Sequence, residues 1–407
     1  HLEIRQELKS AGYVFQTDHS DTEVLLHGYA HWGNQLLGRL NGMFAFAACD
    51  LHERKVLLAV DRFGQKPLVW GVMGEGCLVF GSEVKALRMH PAFHASWDNV
   101  AVIRALSFNA PPAPQTIFEG LNRLEPGTAI SFDLDGAGLV AESRRWRWWS
   151  PEFSQFDGNP GWEAEHFMND LRDSVGRHLI SDVPLGILLS GGVDSSVVAA
   201  SAVEHQSIKT LSMGFGEDGF DERDLARKTA AVLGTEHHEF ILRGEEALQT
   251  LDAVVSHLDE PLADASCIPT WLLYKKTREE VTVAVGGDGC DELLEGYPTF
   301  RALELARAYG FASRLPGMGL IRAGVDRIPV DDGYYPFAYK LRRFLDGLGA
   351  KPLHRLQHFV GGCSPHLLRR LIRPEVAQLA GFGNTEGQFT EQLFGHLIPS
   401  DLASDYA

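Results

Sequence analysis

The sequence predicts an α+β sandwich followed by a doubly wound, parallel α/β sheet. Two observations carry this expectation. In the first third, short apolar runs are broken by Gly and Asp and spaced like antiparallel hairpins. From Ala164 onward the period changes, and amphipathic helical patterns alternate with short apolar strands. A length of 407 residues agrees with more than one core, since domains average roughly 150 residues.

In the first part, GMFAFAACD (42–50), KVLLAVD (55–61), PLVWGVM (67–73) and CLVFGS (77–82) read as strands. The Pro-rich NAPPAPQT (109–116) interrupts them, and a last strand pair is expected around LEPGTAISFDL (124–134). Residues 136–160, which include RRWRWWSPEF and Gly-Asn-Pro, read as a hinge, with the tryptophans on a strand packed between two domains. The expected division is 1–136, a linker over 137–163, and 164–407. In the second part a helix (Phe167, Leu171, Val175, Leu179) leads to strand GILLS (186–190) and helix SSVVAASAVEH (195–205). Strand KTLSMGF (209–215), helix ERDLARKTAAVLG (222–234) capped at its start by Asp221 and ended by Gly234, strand HHEFIL (237–242), helices over 244–258 and 268–279, and strand VTVAVG (281–286) continue the alternation. Beyond Tyr297 the chain reads as helical and rich in Arg.

With 44% hydrophobic and 22% charged residues the composition is that of a globular protein, and 37 Lys+Arg against 54 Asp+Glu leave a net charge of −17. Such a field repels polyanions, so nucleic acid and acidic membrane surfaces are not expected partners. Arg144, Arg145 and Arg147 interleaved with Trp146, Trp148 and Trp149 imitate a nucleic-acid patch, but the charge argues against that reading. Five widely spaced cysteines (49, 77, 267, 290, 363) include no Cys-x-x-Cys pair and read as reduced thiols of a cytoplasmic protein. No run has the length of a membrane span, and the chain opens at His1 within an amphipathic pattern, so it reads as an internal fragment.

The sharpest chemical signal is LLSGGVDSS (188–196), which follows a buried strand, crosses a Gly-Gly turn and opens a helix, where backbone N–H groups favour an anion. Gly191 and Gly192 let the backbone approach a ligand, and Ser190, Ser195 and Ser196 offer hydroxyls to phosphate oxygens. Asp194 would be repelled by phosphate alone; with Mg²⁺ between them it becomes a ligand. The plain alternative is a Gly-rich turn with a Ser/Asp helix cap. A second motif, GGDGCDELLEGYPTF (286–300), leaves the end of a buried strand and crowds Asp288, Asp291 and Glu292 into what should be a switch-point crevice. Here the alternative is a solvated acidic loop.

The first motif resembles the pyrophosphate loop of ATP pyrophosphatases, which cleave ATP between its α and β phosphates and adenylate a substrate. The second is similar to the Ser-Gly-Asp/Glu-Gly-x-Asp-Glu-(x)₃-Gly-Tyr signature of glutamine-hydrolysing asparagine synthetases, with Gly286 in place of the usual Ser and Cys290 in place of a small residue. LDEPLADASCIPT (258–270) is similar to a stretch of bacterial members, its alternative being a Pro-broken loop capped by Asp264 and Ser266. SDTEVLL (20–26), LNGMFAFAACD (40–50), DRFGQKPLVW (61–70) and FGSEVKAL (80–87) resemble the class II glutamine amidotransferase domain of that family, an Ntn-type sandwich. The resemblance implies amidation of aspartate through a β-aspartyl-adenylate, with ATP and Mg²⁺ required and ammonia supplied by glutamine. It assigns Leu188, Met213, Gly286 and Gly287 to the nucleotide site along with Ser190, Gly191, Gly192, Asp194, Ser195 and Ser196, and makes Asp194 and Asp291 the metal ligands. Asp288 is expected to act on the ammonia adduct, Tyr297 to touch the intermediate, and Asp21 to hold the glutamine amino group. Aspartate, glutamine or ammonia, and a second copy in a homodimer are the expected partners.

The family's glutaminase nucleophile is an N-terminal cysteine, and none of the five cysteines is terminal, so glutaminase activity is not expected of this chain. Two other readings stay open: an amidotransferase or cyclase acting on another carboxylate, and a non-catalytic binding relative. His354 and His358, at i and i+4, read as a surface helix rather than a zinc site, and neighbours His237 and His238 on one strand should face opposite ways.

Overall fold

The computed structural model describes residues 1–152, 160–215, 223–329, 336–348, 350, 355, 358, 359, 361–383 and 393. The chain divides into two compact units, the first comprising His1–Ser154, Asp259–Pro261 and Leu368–Thr385, the second Gln155–Leu258, Leu262–Leu367 and Glu386–Ala407.

In the first unit, helices α1 (Leu2–Ser10), α2 (Asp21–Trp32) and α3 (Leu36–Arg39) precede strands β1 (Ala45–Asp50), β2 (Lys55–Val60), β3 (Val69–Met73) and β4 (Cys77–Gly81). Helices α4 (Val84–Leu87) and α5 (Asn99–Phe108) and strands β5 (Leu121–Arg123), β6 (Thr128–Leu134) and β7 (Val140–Arg147) complete it. The strands form two antiparallel sheets, ordered β1-β2-β6-β7 and β4-β3-β5. Strand β2 is buried on both faces, and its period of two sorts its side chains between two cores. Val56, Leu58 and Val60 join Ile130 and Phe132 with Trp70 and Leu78 of the smaller sheet, while Leu57 and Ala59 meet Leu36 and Leu37 below α2 and α3. A sandwich of two sheets covered by helices follows.

Two expectations change here. LEPGTAISFDL does not hold a strand pair, because β5 pairs with β3 and β6 with β2 and β7. The expected linker 137–163 begins with a sheet strand: β7 takes the edge beside β6, and the contact boundary falls at Ser154. Trp146 and Trp148 pack on the first unit's own core, Trp148 stacked on Phe44 at 6.0 Å, instead of between domains. Arg145 pairs with Glu125 and Arg147 donates to Pro126 O at 3.0 Å, which ties two of the three arginines to the unit's own polar groups.

Within the second unit the order is α6 (Pro160–His178), β8 (Leu185–Leu188), α7 (Val193–Val203), β9 (Lys209–Phe215), α8 (Arg223–Leu233) and β10 (Glu236–Leu242). Then come α9 (Gly244–His257), α10 (Cys267–Glu280), β11 (Val283–Val285), α11 (Cys290–Leu293) and α12 (Pro298–Tyr309). Helices α13 (Met318–Val325), α14 (Phe337–Leu348), α15 (Pro365–Leu371) and α16 (Pro374–Leu379) follow, with the chain from Leu368, within α15, through α16 counted with the first unit. The sheet is parallel throughout, ordered β10-β9-β8-β11. Its core joins α6, α7 and α8 to β8 through Val175, Ile187, Leu189, Val198 and Ala226. Gly234, at φ +69°, ends α8 as expected; Asp221, its expected cap, lies outside the described residues.

Asp259–Pro261, sequentially between α9 and α10, folds with the first unit. Glu260 is buried there, accepting from Ile117 N at 2.6 Å and from the Arg123 guanidinium. Burial pushes its carboxyl above the ordinary range, and the charge of Arg123 opposes that rise. A raised folded-state value means that protonation favours the native state: this stability is present below about pH 4.5, the ordinary value, and is lost as pH rises through the folded value. We expect Arg123→Ala, which strands the carboxylate, to cost roughly 3 kcal/mol in urea unfolding at pH 7. The cost should shrink as pH falls toward 4; a loss independent of pH would show that the pair is not electrostatic.

Candidate active site

The order β10-β9-β8-β11 runs outward from β8 to β10 and then returns to the other side of β8, so the switch point lies between β8 and β11. Because the strands are parallel and Val285 is in register with Ile187, the segments leaving both strands emerge at the same edge. These are the two motif loops.

After β8 the chain turns at Gly191, whose φ of +86° is a left-handed conformation that suits glycine, and α7 begins behind Gly192. The serines organise the loop: Ser190 N donates to Ser195 Oγ at 3.1 Å, the Ser190 and Ser195 hydroxyls lie 2.9 Å apart, and Gly192 N donates to Ser190 Oγ at 3.2 Å. Ser196 Oγ donates to Gly192 O at 2.7 Å. Ser195 is buried, so its hydroxyl braces the turn. Asp194 is not the helix cap, since it sits inside the first turn behind Gly192. Leu188 ends β8, and Met213 lies on β9 two residues beyond Leu211, the partner of Leu188.

The acidic loop starts at Gly286. A Cβ on Gly287 would stand 3.1 Å from Ser195 N and 3.2 Å from Asp194 Cβ, so this backbone lies directly against the first turn of α7. Contact that close requires glycine. Gly289, at φ +92°, opens α11, which carries Asp291 and Glu292. Asp194, Asp291, Asp288 and Glu292 all bear on the Cys290 thiol, which burial and then these carboxylates push upward. Tyr297 donates from Oη to Glu292 Oε1 at 2.9 Å, and its phenol is pushed up to about 12, by burial first and then by Glu292. Tyr274 on α10, unremarked in the sequence, is raised by burial and by Asp288. Asp288, Asp291, Asp194 and Tyr297 therefore share one neighbourhood.

Mg²⁺ normally takes one or two carboxylates and fills its octahedron with phosphate oxygens and water. Among the described residues no three side chains form a ready cage. Asp194 on the first turn of α7 and Asp291 on the facing loop are carboxylates of the kind that such an ion takes, one from each motif.

Elsewhere, Asp21 stands exposed in the first turn of α2. Its neighbour Glu23 accepts from Gln16 N at 2.6 Å and Thr17 N at 2.9 Å, is further held by the Thr17 hydroxyl, and titrates at about 2. Asp264 Oδ1 accepts from Ser266 N at 2.9 Å within the loop, and Ser266 stands at the N-cap of α10 without a side-chain capping bond, so neither side chain caps the helix as expected. His237 contacts the hydroxyls of Thr210 and Ser212 and His238 contacts Glu236, so the two rings do take different partners. His354 lies outside the described residues. Since Glu292 and burial both raise Tyr297, spectrophotometric titration of Glu292→Gln should lower one tyrosine from about 12 toward its ordinary value of 10.0. An unshifted titration would separate Tyr297 from Glu292.

The glutamine amidotransferase domain model matches residues 1–146, and the asparagine synthase model matches residues 166–366. The chain is 37% identical to asparagine synthetase [glutamine-hydrolyzing] 1 of Bacillus subtilis over 74% of this chain and 46% of that protein. It is 30% identical to asparagine synthetase [glutamine-hydrolyzing] 3 of the same organism, over 75% and 52%. The Zea mays asparagine synthetase [glutamine-hydrolyzing] is 25% identical over 100% of this chain and 74% of its own. The chain thus spans about half the length of the two Bacillus relatives. Likeness to solved structures is slight: the NH3-dependent NAD synthetase of Campylobacter jejuni has a TM-score of 0.25 at 16% identity, covering 58% of this chain and 97% of that one. A match to the glutamine amidotransferase domain over residues 1–146 is thus followed by a match to asparagine synthase over residues 166–366, and along its whole length the chain is similar to a glutamine-hydrolysing asparagine synthetase.

Proposed function

We propose that the protein takes part in ATP-dependent amidation of aspartate, with the second unit performing the synthetase chemistry in the cytoplasm. The observation that carries this reading is the placement of SGGVDSS and GGDGCDE side by side at the switch point of one parallel sheet. A carboxylate acylates poorly, so its oxygen attacks the α-phosphorus of ATP and pyrophosphate leaves, forming an acyl-adenylate. Ammonia then attacks the acyl carbon, the nitrogen loses a proton, AMP departs and asparagine forms.

In this reading Leu188, Met213, Gly286 and Gly287 border the nucleotide, and the braced turn from Ser190 to Ser196 receives the leaving pyrophosphate on backbone N–H groups and hydroxyls. Asp194 and Asp291 hold Mg²⁺, which offsets the charge on the leaving phosphates. Asp288 orients ammonia or accepts its proton, and Tyr297, kept protonated by burial and by donating to Glu292, contacts the intermediate. In the first unit, which we assign to the Ntn-type amidotransferases, Asp21 is available at the open end of α2 to pair with the amino group of glutamine. The sandwich of two sheets supports that assignment.

Calorimetric titration tests the metal assignment: Asp194→Ala should weaken ATP binding with Mg²⁺ present much more than without it, whereas equal losses would reduce Asp194 to a structural residue. Rate measurements separate the acids. Asp291→Asn should lose both aspartate-dependent pyrophosphate exchange and ammonia-dependent amide formation. Asp288→Asn should keep exchange and lose amide formation by ~10² or more, the usual contribution of a positioned acid or base. Equal loss of both by Asp288→Asn would move that residue to the metal site.

A further inference from the structure

Gly286 stands where the family signature has Ser, and the structure ties its missing side chain to one group only. A Cβ at Gly286 would lie 3.0 Å from Asp288 Oδ2, and its next neighbours, Asp288 Cγ and Asp288 N, are 3.8 and 3.9 Å away. No other residue comes among these nearest atoms. The backbone at Gly286 is not left-handed, so alanine or serine can adopt it without strain. The next glycine differs: a Cβ on Gly287 would press on the backbone of Ser195 and Asp194, which would have to give by a few tenths of an ångström. The tight contact at Gly286 is thus with the end of a side chain that can move.

We propose that Gly286 is a positioning residue: its bare Cα leaves a recess at the end of β11 into which the Asp288 carboxylate folds, and this sets where Asp288 meets the attacking nitrogen. Its bearing on catalysis rests on the role given to Asp288 under the proposed function. A side chain at Gly286 needs room of a few tenths of an ångström, and the carboxylate is the atom group that gives it. Displacements on this scale matter for a group acting on a reacting atom, since 1 Å of misplacement costs on the order of 10²-fold. The first half-reaction needs no base at that point, so the two steps should respond unequally.

The test uses Gly286→Ala in the chain supplied with MgATP, aspartate and ammonia. The ratio of amide formation to pyrophosphate exchange should fall about tenfold, in line with a partial displacement of an acid–base group. In an Asp288→Ala background the same substitution should leave that ratio where Asp288→Ala alone puts it, because there is no carboxylate left to displace. A fall that recurs in the Asp288→Ala background, or a ratio unaltered by Gly286→Ala, overturns the inference. A crystal structure of Gly286→Ala gives a readout independent of rate: Asp288 Oδ2 should leave the strand end, and an unmoved carboxylate overturns the proposal as well. Absence of aspartate-dependent exchange in the unsubstituted chain is a different result, which removes the proposed function and leaves the crystal structure to judge the recess.

Discussion

The second unit depends on the parallel pairing of β8 with β11. Only three residue pairs join them, from Val283 opposite Leu185 to Val285 opposite Ile187, yet this register decides which loops become neighbours. Segments 95 residues apart in numbering, Asp291 less 196 for Ser196, end at one edge of one sheet. A slip by one residue would turn every side chain of β11 to the other face and carry Gly287 away from α7. Gly287 makes the register productive, since its Cα–H lets the acidic loop rest on Ser195 and Asp194. The consequence is electrostatic. Burial and then four carboxylates, from Asp194 on one loop and Asp291, Asp288 and Glu292 on the other, push the Cys290 thiol upward.

Rigidity comes from different sources on the two sides of that junction. The phosphate-suited loop is braced by its own hydroxyls, with Ser190 and Ser195 bonded to one another and to the turn. The acidic loop is held instead by its own backbone, with Cys290 N donating to Gly287 O at 3.2 Å and Gly296 N to Asp291 O at 2.9 Å, and the Tyr297–Glu292 hydrogen bond closes it.

Much of this was legible from residue pattern. Strand β9 occupies the residues expected of it, and α7, α8, α9 and α10 lie within about two residues of their expected ends, because long periodic segments carry strong signals. A strand carrying the tryptophans was legible at β7, but its place at the edge of the first sheet was not, because Trp146 and Trp148 pack on a core whose residues lie mostly far away in sequence. Glu260 could not be placed either, since its partners Ile117 and Arg123 are more than 130 residues away. In the site, the residue types of both loops were readable, whereas the bracing role of Ser195 and the recess at Gly286 depend on distances that no spacing encodes.

Hydrogen exchange with and without MgATP tests most directly whether the β8–β11 junction makes one site from two loops. The account predicts that saturating MgATP slows exchange together in residues 188–196 and 286–297, with one common dependence on nucleotide concentration, and that Gly287→Val abolishes both effects. Protection confined to residues 188–196, with the acidic loop exchanging as before, would contradict it.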